Sequence, residues 1–225
     1  MKVYPIFLNN LKGRECVLFG GNHEAERKVA GLLECEAAVT VFSETVTDPL
    51  RDWAEEGLIT WIPRWYQPGD LSGAFLAIVA ITDHEATKPI WAEAEREQVL
   101  FNAMDDVPHC NFVAGSVVEQ GPLTLSISTS GCAPALSVRL RQEFEQRFGP
   151  EYGHFLNVMK TLRPLMPVHF SEFDQRRSKW YEIVDSEMLH LMREEKEKAA
   201  CELLKDILGF SEGVCMRQDG TCACN

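Results

Sequence analysis

Glu15-Cys16-Val17-Leu18-Phe19-Gly20-Gly21-Asn22-His23-Glu24-Ala25 is the stretch that decides the fold. Its first half is a strand pattern that stops at two glycines. A helical pattern follows, with Ala25, Val29, Leu32 and Leu33 at helical spacing. Working outward, residues 38–42, 58–62, 74–81 and 99–102 read as strands and residues 85–98 as a helix. The 74–81 run is apolar at nearly every position, as a central parallel strand buried on both faces requires. The alternation predicts an α/β fold over residues 1–112, a Rossmann-type parallel sheet with helices on its faces.

Beyond residue 112 the pattern changes. Residues 112–118 and 122–128 read as two strands joined by the turn residues Gln120-Gly121, and residues 134–148 as a helix with Leu136, Leu140 and Phe144 on one face. Residues 151–210 read as mostly helical, interrupted at Pro164 and Pro167. The expected organisation is a Rossmann domain at 1–112, a small α+β region at 113–150, a helical region at 151–210 and a small polar tail at 211–225.

Bulk properties narrow the function. The 225 residues are 45% hydrophobic and 25% charged, ordinary for a folded soluble chain. A net charge of −12 argues against a nucleic-acid binder, which needs a basic face for phosphates. No stretch approaches the roughly 20 apolar residues that span a bilayer, and Met1 to Pro5 shows no secretory pattern. Four of the eight cysteines, Cys16, Cys35, Cys110 and Cys132, lie in apolar, helix-strand-alternating sequence and read as reduced, buried side chains. The expected compartment is the cytoplasm.

The glycine turn carries the first chemical signal. Gly20-Gly21-Asn22-His23-Glu24-Ala25 is a Gly-x-Gly-x-x-Ala fingerprint with Asn22 in place of the second glycine. Such a turn aims backbone N–H groups and a helix N-terminus at a pyrophosphate. Asn tolerates positive φ, so the turn can survive with a Cβ there. Glu44, after the second strand, could accept a hydrogen bond from a ribose 2′-hydroxyl and would repel a 2′-phosphate; it could equally be a solvated loop residue. Thr82 and Asp83, past the fourth strand, could line the same cleft or cap the next helix.

Asp105 follows the fifth strand at the carboxyl edge, where it could take a proton during a hydride transfer. Alternatively, Asp105 and Asp106 only shape a loop before Pro108. His109-Cys110 reads as structural rather than as a metal pair. Ser128, Thr129, Ser130 and Gly131 form a polar turn that could hold a carboxylate or cap the helix after it. Cys215, Cys222 and Cys224, with Cys201, do not match a standard zinc spacing, and no metal site is expected.

In order along the chain stand Gly20-Gly21-x-x-x-Ala25-Glu26-Arg27-Lys28, Ala38-Val39-Thr40-Val41, Ala80-x-Thr82-Asp83, Asn102-x-x-Asp105 and Gly121-Pro122-Leu123-x-x-x-Ile127-Ser128-Thr129-x-Gly131-x-x-Pro134. This set resembles the precorrin-2 dehydrogenase family, which includes the N-terminal module of sirohaem synthases, from about Tyr4 to Trp180. The resemblance implies NAD-dependent oxidation of precorrin-2, a tetrapyrrole, to sirohydrochlorin by a homodimer, with residues 113–150 as a dimerisation region. It matches His23, Glu24, Glu44 and Thr45 to NAD-contacting positions and Asp105 to the catalytic aspartate. Asn22 departs from the family's Gly-Gly-Gly turn, and Thr129 stands where a relative carries a phosphoserine. Some relatives also insert iron, so a bifunctional dehydrogenase and ferrochelatase is the nearest alternative. A non-catalytic dinucleotide- or tetrapyrrole-binding protein is the second. A substrate with eight carboxylates calls for cations, and Arg139, Arg141, Arg176, Arg177 and Lys179 are available, none of them assigned.

Overall fold

The computed structural model describes residues 3–211, so the expectations for Cys215, Cys222 and Cys224 lie outside the described residues. The chain divides into two compact units, Met1–Ala114 and Gly115–Asn225. In the first unit, β1 (Glu15–Phe19), α1 (His23–Glu34), β2 (Ala38–Phe42), α2 (Asp48–Glu55), β3 (Thr60–Ile62), β4 (Leu76–Val79), α3 (His84–Glu97) and β5 (Leu100–Ala103) follow in order. The strands form one parallel sheet in the order β3-β2-β1-β4-β5. This is the α/β architecture that the alternating sequence pattern requires.

Side chains on a strand alternate between faces, and the core divides accordingly. Leu18, Val39, Val41, Leu76 and Ile78 pack with Ala25, Val29 and Leu50 on one side. Val17, Phe19, Phe42, Ala77, Val79 and Phe101 pack with Ile90 and Ala94 on the other. All four residues of β4 are buried, two to each face. Each fully buried Val, Leu or Phe contributes about 1.5–3 kcal/mol relative to exposure, so this two-faced packing dominates the unit's stability.

The buried carboxylate of Glu93 on α3 is compensated by donors. It accepts from the N–H groups of Gly69 and Leu71 and from the Tyr66 hydroxyl. Burial alone would raise its pKa, but those bonds hold it below the usual carboxylate value. Burial, and after it the bond to Glu93, pushes the Tyr66 phenol upward.

Three strands differ from the sequence reading by two residues or more at an end, each for a local reason. Residues 58 and 59 donate to the carbonyl of Trp53 and so close α2, which leaves β3 to begin at Thr60. Ala74 closes a turn onto Leu71, and β4 is the shorter Leu76–Val79. Residues 110–112 run beside β5 instead of starting a new strand. The Asn111 side chain accepts from Phe101 N–H and donates to Val99 O, while Asn102 Nδ2 donates to Phe112 O. Asn111 thereby covers part of the sheet's edge, which would otherwise present unpaired backbone groups.

The second unit opens with an antiparallel hairpin, β6 (Ser116–Gln120) and β7 (Leu123–Ile127). The helices α4 (Pro134–Arg147), α5 (Pro150–Leu162), α6 (Met166–His169), α7 (Phe173–Val184), α8 (Met188–Arg193) and α9 (Glu197–Leu208) follow. Pro164 lies between α5 and α6, whereas Pro167 sits in the first turn of α6, where a missing N–H costs nothing. Phe155, Leu162, Met166, Ile183, Met188 and Leu204 make the core. Gly153 in α5 meets the hairpin turn so closely that a Cβ would stand 2.9 Å from the Gln120 carbonyl oxygen.

The face of α4 holding Leu136, Leu140 and Phe144 is not fully covered. Leu136 is 50% exposed, and no residue of this helix is buried. Of the four cysteines expected to be buried, Cys16 is buried and Cys110 half-buried, but Cys35 and Cys132 are exposed. Cys35 stands at the C-cap of α1 and Cys132 in the turn before α4, both outside the packed faces. Burial pushes the Cys16 thiol up to about 11, which keeps it protonated and inert. Among the described residues no helix is long and apolar enough to cross a membrane.

Candidate functional site

In a parallel sheet every strand ends at the same edge, and here the ends are in register: Phe19 lies opposite Phe42 and Val79, and Val79 opposite Ala103. The ladder continues one residue further through Gly20 N–H to Phe42 O, Ala80 N–H to Phe19 O and Met104 N–H to Val79 O. Beyond that row lie Gly20-Gly21-Asn22, Glu44-Thr45, Thr82-Asp83 and Asp105, all at the carboxyl edge. The strand order reverses between β1 and β4, and the crevice for a ligand in such sheets opens at this switch point.

The turn after β1 is held from two sides. Gly20 has φ +119°, a conformation that glycine adopts without strain. Gly21 is required by space, because a Cβ there would stand 2.0 Å from the Thr45 carbonyl oxygen and 2.9 Å from Ser43 Oγ. Thr47 N–H donates to Gly21 O, and Ser43 Oγ donates to Thr45 O, so the segment after β2 is laid directly on the glycine. Trp61 Nε1 on β3 donates to Ser43 O and fixes that segment in turn.

Asn22 does not take the positive φ expected of it. Its backbone is extended (φ −87°, ψ −178°) and it is the N-cap of α1. Its Oδ1 accepts from Ala25 N–H at 3.0 Å and its Nδ2 donates to the Ala80 carbonyl at 2.8 Å. A glycine could do neither. The substitution thus ties the β1–α1 turn to the end of β4, 58 residues away. Among the described residues, none accepts from the backbone N–H groups of Gly21, Asn22, His23 or Glu24. These donors at a helix N-terminus fit the pyrophosphate of a dinucleotide.

The neighbouring candidates are placed as follows. His23 is exposed, with Nδ1 3.2 Å from Glu26. Glu24 pairs with Arg27, which holds its carboxyl below the usual value and offsets its charge at the helix start. Glu44 and Thr45 are exposed at the end of β2. Asp83 caps α3 by accepting from Glu85 and Ala86 N–H, so the capping alternative describes its side chain; Thr82 is exposed beside it.

The two aspartates after β5 differ sharply. Asp105 is exposed and has φ +57°, a left-handed conformation rarely adopted away from turns and functional sites. Asp106 is 6% exposed, and its carboxylate accepts from Nδ1 of His109 at 2.9 Å and lies 3.2 Å from Nδ1 of His84. Burial alone would raise its pKa, but the two imidazoles outweigh burial and hold it below the usual value. The sequence offers Asp106 only as a loop residue beside Asp105 and does not single out His84. No local spacing connects a residue at the start of α3 with one after β5. Cys110 donates to the Asp106 and Ala103 carbonyls, consistent with a structural role.

In the second unit, the Ser128–Gly131 turn uses two of its three hydroxyl oxygens locally. Ser130 N–H donates to Ser128 Oγ, and Ala133 N–H donates to Thr129 Oγ1 beside the start of α4. Ser130 and Gly131 both have positive φ. A groove of about 500 Å³ runs along α7, lined by Phe173, Arg176, Arg177, Trp180, Tyr181 and Val184. Of the available cations, Arg176 donates to the Phe170 and Ser171 carbonyls, Lys179 to Glu182 and Ile207 O, and Arg141 to Glu145.

A parallel sheet with this strand order and a glycine turn at its switch point defines a Rossmann-type dinucleotide-binding protein. Comparison with known proteins narrows the class. The model described as putative NAD(P)-binding matches residues 7–116, that of the sirohaem biosynthesis protein central region residues 120–147, and that of the sirohaem synthase dimerisation region residues 151–208. A sirohaem synthase of Actinobacillus pleuropneumoniae serotype 3 is 29% identical over 204 residues, covering 91% of this chain and 42% of that protein. Sirohaem synthase 2 of Yersinia enterocolitica is 31% identical over 189 residues, covering 84% and 40%. The chain therefore spans less than half the length of these relatives. A solved structure described as SirC, precorrin-2 dehydrogenase, has the same fold, with TM-score 0.78, 24% identity and coverage of 92% of this chain and 100% of that one. Across its dinucleotide-binding, central and dimerisation regions the chain is similar to the sirohaem synthases, and it shares the fold of the precorrin-2 dehydrogenase structure.

The Asn22 geometry makes a specific prediction. Asp caps helices about as well as Asn, so Asn22→Asp loses chiefly the bond to Ala80 O, a cost of about 1 kcal/mol. It also places a negative charge among the free N–H groups. In thermal unfolding, the variant should melt close to the parent without ligand, while the rise in Tm that NADH gives the parent shrinks or disappears. An undiminished NADH-dependent rise would contradict the assignment of this turn.

Proposed function

We propose that the chain oxidises precorrin-2 to sirohydrochlorin with NAD, and that Asp105 accepts the proton released. The observation that carries the reading is the convergence at one sheet edge of the Gly20-Gly21-Asn22 turn and the strained Asp105. Gly20, Gly21, Asn22, His23 and Glu24 would surround the pyrophosphate. Glu44 and Thr45 would meet the adenosine ribose, and Thr82 and Asp83 would border the cleft. The exposed carboxylate of Glu44 suits a ribose 2′-hydroxyl and opposes a 2′-phosphate, which favours NAD over NADP. When bound, the nicotinamide supplies the hydride acceptor.

The residues do the remaining work. Removing two hydrogens from the macrocycle yields a hydride and a proton, and Asp105, exposed at the carboxyl edge, takes the proton. Ser128, Thr129, Ser130 and Gly131 would supply hydroxyl and backbone donors to substrate carboxylates. The compartment in keeping with this chemistry is the cytoplasm.

The partner is a second copy of the chain, with residues 113–150 and 151–210 as the dimerisation and helical regions. Support for a second copy comes from the match of residues 151–208, rather than 113–150, to a dimerisation region, and from the apolar side chains left exposed on the second unit, Leu136, Val138, Phe173, Tyr181 and Val184 among them. Sedimentation of the full chain at twice its monomer mass is the expected result, and a monomer at micromolar concentration would oppose it.

Activity is tested by mixing the protein anaerobically with precorrin-2 and following NADH absorbance. NAD should be reduced faster than NADP, and Asp105→Asn should slow the reaction about 10²–10⁴-fold, as loss of a general base does. A parent protein that forms no NADH would point instead to a non-catalytic binder. Metal insertion into the sirohydrochlorin formed, after addition of iron, would establish the bifunctional reading.

A further inference from the structure

Asp106 holds two imidazoles at once. Nδ1 of His109 lies 2.9 Å from both of its carboxylate oxygens, and Nδ1 of His84 lies 3.2 Å from Oδ2. The carboxylate is almost fully buried, whereas the His84 and His109 side chains are 54% and 31% exposed. Because the carboxylate is held ionised, it can only accept, so each Nδ1 carries the proton. In the neutral imidazole this leaves Nε2 with a lone pair, and among the described residues neither Nε2 has a hydrogen-bond partner. A carboxylate fixing the Nδ1–H tautomer so that Nε2 can take a proton is the arrangement that serves general-base histidines elsewhere.

The position is equally informative. His84 is the first residue of α3, just past β4, and Asp106 follows β5 by way of Asp105. The cluster therefore bridges two strand ends at the carboxyl edge, directly after the residue assigned to accept the substrate proton. Trp91 packs edge-on against the His109 ring and fixes it from the α3 side.

The titratable groups that flank His84 are Asp83, which accepts from two backbone N–H groups, and Glu85, which pairs with Lys88. Further along α3 stand Glu93, Glu95, Arg96 and Glu97. On the β5 side are Asp105 and the Cys110 thiol, which burial pushes up and keeps protonated.

We propose that His84 and His109, positioned by Asp106, are the proton exit of the crevice, accepting at Nε2 the proton that Asp105 takes from the substrate and releasing it to solvent. The inference rests on the dehydrogenase reading. In each turnover the macrocycle loses a hydride to the dinucleotide and a proton to Asp105. The proton moves to an imidazole, and the imidazolium discharges it into water, which returns Asp105 to its ionised form. Asp106 keeps its charge throughout and acts as a positioning residue.

The test is NADH formation from precorrin-2 by the full chain between about pH 5 and pH 9, where imidazole titrates. The variants are His84→Gln, His109→Gln, the double variant and Asp106→Asn. The double variant should lose about 10²-fold in kcat, the order expected for a general base. It should also lose the acid limb of the pH profile, with KM little changed, and added imidazole should restore part of the rate. If His109→Gln fails to fold, the half-exposed His84→Gln alone carries the test, with a smaller fall in kcat, a shifted acid limb and the same rescue. Folded variants with the parent's rate and pH profile would overturn the proton exit while leaving the dehydrogenase assignment intact. A parent chain that forms no NADH would overturn both.

Discussion

The amide of Asn22 is the contact on which the carboxyl edge of the sheet depends. One side of it caps α1 and the other grips the carbonyl of Ala80, so the β1–α1 turn cannot move without the end of β4. Gly21 does the same on the β2 side through contact rather than bonding, since only hydrogen fits beneath the Thr45 carbonyl. Three strand ends are thereby fixed before any ligand arrives. A site preorganised in this way spends little binding free energy on ordering its own loops.

The fold could be read from the sequence because burial on both faces leaves an unambiguous mark. β1 and β2 begin and end where the apolar runs do, and β4 lies inside a run with no polar interruption. Boundaries that depend on who accepts a given N–H could not be read so well. Leu58 and Ile59 are apolar enough for a strand, yet their N–H groups close α2, and Phe112 is drawn to β5 by two asparagine side chains.

The site divides in the same manner. Gly20, Gly21 and Asp105 could be proposed from local pattern and family resemblance, because glycine turns and strand-end carboxylates have fixed sequence positions. The role of Asn22 needed the structure, since its partner Ala80 is distant in sequence. Likewise, the difference between Asp105 and Asp106 is one of burial and backbone conformation. Neighbours in the sequence, they face opposite environments, one open at positive φ and the other sealed between two histidines. An acidic chain can still serve an anionic cofactor, because the groups that would meet the phosphates are backbone N–H groups, and Glu24 beside them is already paired with Arg27.

The central claim is that the turn after β1 is a dinucleotide site, and direct titration addresses it without requiring the tetrapyrrole. The full chain, titrated with NADH and separately with NADPH, is followed by nicotinamide fluorescence. The account predicts saturable binding of one NADH per chain, tighter than that of NADPH. A signal that rises linearly with no saturation for either nucleotide would contradict it.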